Sequence, residues 1–156
     1  FDMYRQSEEG VLPRKKVRIR WYNQNQDFTL EEKISSLEGR FKTSTYLKNL
    51  KSVDEILNYK ITVKEYGALL PTLRVSYKRS YFTFNDMRIT FDLDINYHNL
   101  RLNKALLYKD PEQVIEIKVP ANFEDDLIEK LIPYPTSRFT KYSRGILISQ
   151  RQLSEV

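Results

Sequence analysis

Cysteine is absent from the 156 residues, which excludes a disulfide framework, thiolate metal sites and a cysteine nucleophile. Histidine occurs once, as His98 in INYHNL, without the partners that triad or zinc chemistry needs. It reads as a surface or loop residue. Glycine occurs only four times and GxxxxGK does not occur, so there is no Walker A cradle and any use of ATP must rely on side chains. No apolar run approaches the roughly 20 residues of a membrane helix, and no signal peptide is visible. Nor is there an RNP-like or OB-type recognition sequence, so nucleic acid is not an expected partner. Trp21 and the tyrosine-rich stretches therefore read as wall and core residues. Internal repeats and low-complexity tracts are also missing.

What the chain does contain is aromatic and basic. Eleven Tyr and eight Phe favour strands. Lys and Arg outnumber Asp and Glu by 26 to 21, for a formal charge of +5. That excess is modest and implies an anionic partner only if the cations converge on one surface. The length suits a single domain over 1–156. Because the chain opens on Phe1 rather than Met, it is expected to be a fragment of a longer domain.

The strongest periodicity is two. In KKVRIRWY, Lys16, Arg18 and Arg20 share one face while Val17, Ile19 and Trp21 share the other. A second strand is expected from Phe28 to about Leu37, with Glu31 and Lys33 on a common face. LRVSYKRSYF, after Pro71, reads as a third, in which Val75, Tyr77 and Arg79 alternate with Arg74, Ser76 and Lys78. Asn85–Asp86 predicts a turn into MRITFDLDINY, where Arg88, Thr90 and Asp92 face one way and Ile89, Phe91 and Leu93 the other. QVIEIKVP predicts a last strand, with Glu116 and Lys118 opposite Ile115 and Ile117. Ser52 and Glu55 form a capping box before a short helix. Phe123, Leu127, Ile128 and Leu131 recur at helical spacing up to Pro133. Ser137 is expected to cap a final short helix that Gly145 terminates. The segment from about Phe41 to Leu70 carries no clear assignment. The fold class is α+β, an antiparallel barrel with flanking helices.

Alternating charge on a half-solvated sheet is ordinary. Here the cations are often Arg, the planar fork suited to phosphate oxygens, and single acids (Glu31, Asp92, Glu116) on the same faces could hold a divalent cation. A closed sheet could pack its apolar faces outward and line a lumen with the charged ones. Two like charges about 4 Å apart cost on the order of 4 kcal/mol at an effective dielectric near 20, so such a lumen makes sense when a polyanion fills it.

These segments in this order resemble the vacuolar transporter chaperone domain of the triphosphate tunnel metalloenzyme (CYTH-like) superfamily. The resemblance rests on KVRIRWY at 16–22, LEEK at 30–33, SYKRSYF at 76–82, MRITFD at 87–92, VIEIKV at 114–119 and SRFTKYSRG at 137–145. It implies that Arg18, Arg20, Lys33, Arg79, Arg88 and Lys118 project into a tunnel and grip phosphates. Arg138 and Lys141, neighbours on a helix, would approach from one mouth, and Glu116 would bind Mn²⁺ or Mg²⁺. The implied activity is polyphosphate synthesis, with Arg18, Arg20, Lys33, Arg79, Arg88, Lys118 and Lys141 acting in transfer of the terminal phosphoryl of ATP to a phosphate chain. Hydrolysis of tripolyphosphate or a nucleoside triphosphate, and non-catalytic polyphosphate binding, are the alternatives. Relative to the family pattern, an earlier strand with alternating Glu and Lys is missing. The expected location is cytoplasmic, with any membrane-surface contact supplied by a parent protein.

Overall fold

The structure, a computed structural model, describes residues 2–23, 27–101, 107–123 and 125–154. The chain divides into two compact units, Phe1–Thr72 and Leu73–Val156.

The first unit begins with helix α1 (Asp2–Glu8), followed by strands β1 (Arg14–Arg20), β2 (Thr29–Ser36) and β3 (Gly39–Tyr46). These three form one antiparallel sheet in the order β1-β2-β3. Alternation makes β1 and β2 strands, as expected. β3 falls in the stretch left unassigned, yet Gly39, at φ 148°, opens a second run of alternating residues after the Leu37–Glu38 turn. Helix α2 (Val53–Leu57) is capped by Ser52, whose Oγ accepts from the Glu55 N–H at 3.3 Å. The Glu55 carboxylate in turn accepts from the Lys51 N–H at 3.0 Å. The expected capping box is thus present, displaced by one residue on its return arm. A small hairpin of β4 (Ile61–Val63) and β5 (Gly67–Leu69) completes the unit.

Its core is built on the apolar face of the sheet. Phe28, Leu50 and Ile56 are buried, and Ile19, Trp21, Leu47, Val53 and Tyr59 pack against them. Trp21 meets Phe28 edge-on, with centroids 5.7 Å apart.

The second unit holds β6 (Leu73–Phe84), β7 (Met87–Asn99), β8 (Leu107–Lys109), β9 (Val114–Lys118) and helices α3 (Asp125–Leu131) and α4 (Lys141–Ser154). β7 is central, pairing antiparallel with β6, β8 and β9. The turn at Asn85–Asp86 has φ of 44° and 62°, the left-handed pair that a two-residue hairpin requires. α3 lies where the helical spacing placed it; the side chain of Leu127 is outside the described residues. His98 sits in β7, half-buried and opposite Arg74 and Leu107, rather than in a loop.

One irregularity organises this sheet. Between the pairs Lys78–Leu93 and Ser76–Asn96, β7 spends Asp94 and Ile95 opposite Tyr77 alone. Asp94 takes φ 50° to make this bulge. The extra residue shifts the alternation by one, so the side carrying Arg88, Thr90 and Asp92 continues as Ile95 and Tyr97. Both are buried, as is Ile146 of α4, and α4 packs against β7.

The last helix corrects the sequence reading. α4 starts at Lys141 and runs through Gly145 to Ser154. Gly145 is not a stop signal. A Cβ there would lie 2.6 Å from Leu73 Cδ2 and 2.7 Å from Tyr97 Cδ1, so glycine lets the helix touch the sheet.

The described strands are all antiparallel and lie in three sheets, with no closed barrel among the described residues. No described helix is long and apolar enough to cross a membrane.

Candidate functional site

In each unit, cations of one sheet face gather around a buried carboxylate. In the first, the β1–β2 register sets Lys16 opposite Lys33, Arg18 opposite Glu31 and Arg20 opposite Thr29, while Lys33 also faces Lys42 of β3. These residues share the sheet face away from the core. Glu31 is 4 % exposed. Its Oε2 accepts from Arg18 Nε at 2.6 Å, and its Oε1 lies 2.7 Å from Lys42 Nζ and 3.4 Å from Arg20 Nη1. Burial is the strongest single influence on this carboxyl and pushes its pKa up. The hydrogen bonds from Lys42 and Arg18, with their charges, outweigh it and bring the carboxyl down to about 2. Lys33 stands exposed on the same face.

In the second unit the centre is Asp92, which is fully buried. Arg79, directly opposite in the β6–β7 register, grips it with both arms of the guanidinium, Nη2 to Oδ2 at 2.7 Å. Lys141, the first residue of α4, reaches the same oxygen. Burial again pushes the carboxyl up most strongly, and Arg79 and Lys141 together hold it below the ordinary carboxylate range. The hydrogen bond to Asp92 raises Arg79 in turn. Tyr77 supports both cations, with Arg79 5.1 Å and Lys141 4.9 Å from its ring centroid. On β9, Glu116 Oε2 lies 3.6 Å from Arg79 Nη2 and its Oε1 3.3 Å from Lys118 Nζ. Arg88 pairs with Lys118 across β7–β9 and is exposed. The Thr90 hydroxyl oxygen, between Arg88 and Asp92 on this face, is buried without a protein hydrogen-bond partner.

The structure therefore brings together Arg18 and Arg20 in one cluster, with Lys33 beside it, and Arg79, Lys141, Glu116 and Lys118 in another, with Arg88 beside it. Arg138 is exposed in the stretch before α4, so it is not a helical neighbour of Lys141. Lys42 was missed by sequence reasoning. Its signal was the alternation of Lys42, Ser44 and Tyr46 after Gly39, obscured by the low apolarity of the intervening residues.

Of the three sheet-face acids, Glu31 and Asp92 are buried and occupied by cations, whereas the Glu116 side chain is 43 % exposed. Among the described residues, no three carboxylate or imidazole groups converge as a preformed metal cage. Mg²⁺ and Mn²⁺ do not require such a cage, since they are commonly held by one or two carboxylates with phosphate oxygens and water. Glu116 is the accessible carboxylate of the three, and its two oxygens face Arg79 and Lys118.

What such a face can do chemically is bind a polyanion with several points of contact, with Arg18, Arg20 and Lys42 held in place beforehand by buried Glu31 and Arg79 and Lys141 by buried Asp92. A family model for the VTC domain matches residues 1–150. Comparisons with curated proteins and with solved structures find no match.

Proposed function

This chain belongs to the VTC domain family, which ties it to polyphosphate chemistry, and from that premise we propose that it is a polyphosphate polymerase-like domain. The carrying observation is the pair of basic clusters, each with its Arg and Lys ordered around a single buried acid on one sheet face. In the proposed reaction a terminal oxygen of a phosphate chain attacks the γ-phosphorus of ATP. The bond from that phosphorus to the bridging β–γ oxygen breaks, and ADP leaves with the electron pair. Little covalent chemistry is asked of the protein; it must position the chain in line and stabilise charge on the transferred group.

In this reading Arg18, Arg20, Lys33, Arg88 and Lys118 take phosphate oxygens directly, and Arg138 approaches as a further contact. Arg79 and Lys141 are ordered by Asp92 and present their remaining donors to the chain. A tunnel, in which a closed barrel lines its lumen with such faces, is part of the proposal. So is a resident Mn²⁺ or Mg²⁺, held by Glu116 with phosphate oxygens, which when bound neutralises charge on the phosphates. Duplex DNA is not a partner in this reading, since a duplex does not fit a side-chain-lined passage.

One observation favours a second reading, a non-catalytic polyphosphate-binding subunit: Glu116 lies between Arg79 and Lys118 rather than among other acids. Calorimetric titration of tripolyphosphate, with and without Mn²⁺, followed by ATP turnover in wild type and Glu116→Gln, separates the two. Tight binding strengthened by Mn²⁺, with turnover that Glu116→Gln abolishes, is the expected result. Binding without turnover in either protein means a binding subunit. Release of phosphate instead of chain growth means a hydrolase. No binding at all means that the basic faces are merely solvated.

A further inference from the structure

Tyr97, Asp110 and Arg144 take no part in the phosphate contacts proposed above, yet they form the most completely satisfied polar network of the second unit. Asp110 is buried, 3 % exposed. Its two oxygens accept from Arg144 Nε at 2.9 Å and Nη2 at 2.8 Å, from the Tyr97 hydroxyl at 2.8 Å, and from the Glu112 N–H at 3.0 Å. The Asp110 N–H donates to the Ile95 carbonyl at 2.7 Å, so the main chain fixes this carboxylate to β7 as well. Arg144 spends Nη1 on Glu112 at 3.1 Å and lies 4.8 Å from the Phe139 ring centroid. A carboxylate saturated in this way has no capacity left for a metal or a substrate. It is an anchor.

What it anchors is α4. Arg144 follows Lys141 by three positions, so the two are neighbours on the helix surface. It also precedes Gly145, where the helix backbone lies close to Leu73 and Tyr97. A guanidinium gripping a carboxylate with two parallel bonds permits one orientation, whereas the ammonium of Lys141 on its flexible stem permits many. We propose that the Arg144–Asp110–Tyr97 network is a positioning device that fixes α4 over β6 and β7 and thereby sets the Lys141 ammonium at Asp92, beside Arg79. Its functional consequence rests on the phosphate-binding reading of this face; its structural consequence does not. A misplacement of about 1 Å at a contact group is enough to matter for binding and transfer.

Two measurements on the whole chain test this. The first is a double-mutant cycle on tripolyphosphate affinity with Arg144→Met, Lys141→Met and both. Arg144→Met alone should weaken binding on the order of tenfold, and should add less than about twofold once Lys141 is gone, because it acts through Lys141. An equal loss in both backgrounds would overturn the proposal. The second needs no phosphate: acetylation of Lys141 by acetic anhydride, followed by mass spectrometry against exposed Lys60. Arg144→Met should speed modification of Lys141 severalfold and leave Lys60 unchanged. An unchanged Lys141 rate in a folded variant sinks the idea. If Arg144→Met does not fold, Arg144→Lys, which keeps the charge and loses the fork, is read in the same way. Should wild type fail to bind tripolyphosphate, the functional reading falls while the acetylation result still decides the positioning claim.

Discussion

Glu31 is a carboxylate that is costly to bury and, with Arg18, Arg20 and Lys42 around it, hard to protonate. Its pKa falls from 4.5 to about 2 on folding. A depressed acid contributes stability above its unfolded pKa and loses it as pH drops through the folded one. Urea unfolding should therefore show stability declining between about pH 4.5 and pH 2, by at most about 3 kcal/mol from this group. Half-exposed Arg18 and Lys42 reduce that figure by screening. Glu31→Gln should flatten the decline, and an unaltered pH profile in that variant would count against the assignment. Arg79 and Arg88 differ in the same physical terms. Arg79→Ala leaves Asp92 fully buried with Lys141 as its remaining cation partner, and is expected to cost about 3 kcal/mol of stability. Arg88 is exposed and has no ion pair among the described residues, so Arg88→Ala should shift stability by less than about 0.5 kcal/mol while weakening tripolyphosphate binding. Denaturation and calorimetry on both variants check the contrast.

At the level of elements, α4 depends on a residue that helix propensity disfavours. Gly145→Ala gains about 1 kcal/mol of propensity but drives a methyl into Leu73 and into Tyr97, whose ring is tethered through its hydroxyl to Asp110. Overpacking of about 1–3 kcal/mol should win, lowering the urea midpoint. Ser52→Ala should cost about 1 kcal/mol through the lost cap of α2. These two cases also show what was legible in the sequence. Local chemistry was readable: the Ser52 cap, the Asn85–Asp86 turn, the alternation of β1, β2, β6, β7 and β9. Gly145 was misread because a glycine for close approach and a glycine for a helix stop look alike until the neighbouring strand is in place. β3 escaped because its exposed residues lack an apolar stripe. The strand cations Arg18, Arg20, Lys33, Arg79, Arg88 and Lys118 were visible by alternation, whereas Lys42 was missed and Lys141 came only from the family resemblance. Capture by Glu31 and Asp92 depends on strand register and burial, which alternation does not specify.

Across the molecule a net charge of +5 is small, so any polyanion affinity must come from where the cations sit. Tripolyphosphate affinity should consequently fall steeply with added salt, and duplex DNA should compete poorly; equal competition by DNA would point to a diffuse surface patch instead. The bulge at Asp94 has a wider consequence. β7 is in effect written in two reading frames, and the extra residue is the joint between them. One side of a single ribbon can thereby be ionic along one half and oily along the other. The two halves meet at Asp92, which Lys141 of α4 grips, while exposed Arg88 lies farther along the ionic half. Removing Asp94 would be a frameshift in side-chain direction, turning Ile95 and Tyr97 away from α4 although no core residue had been lost.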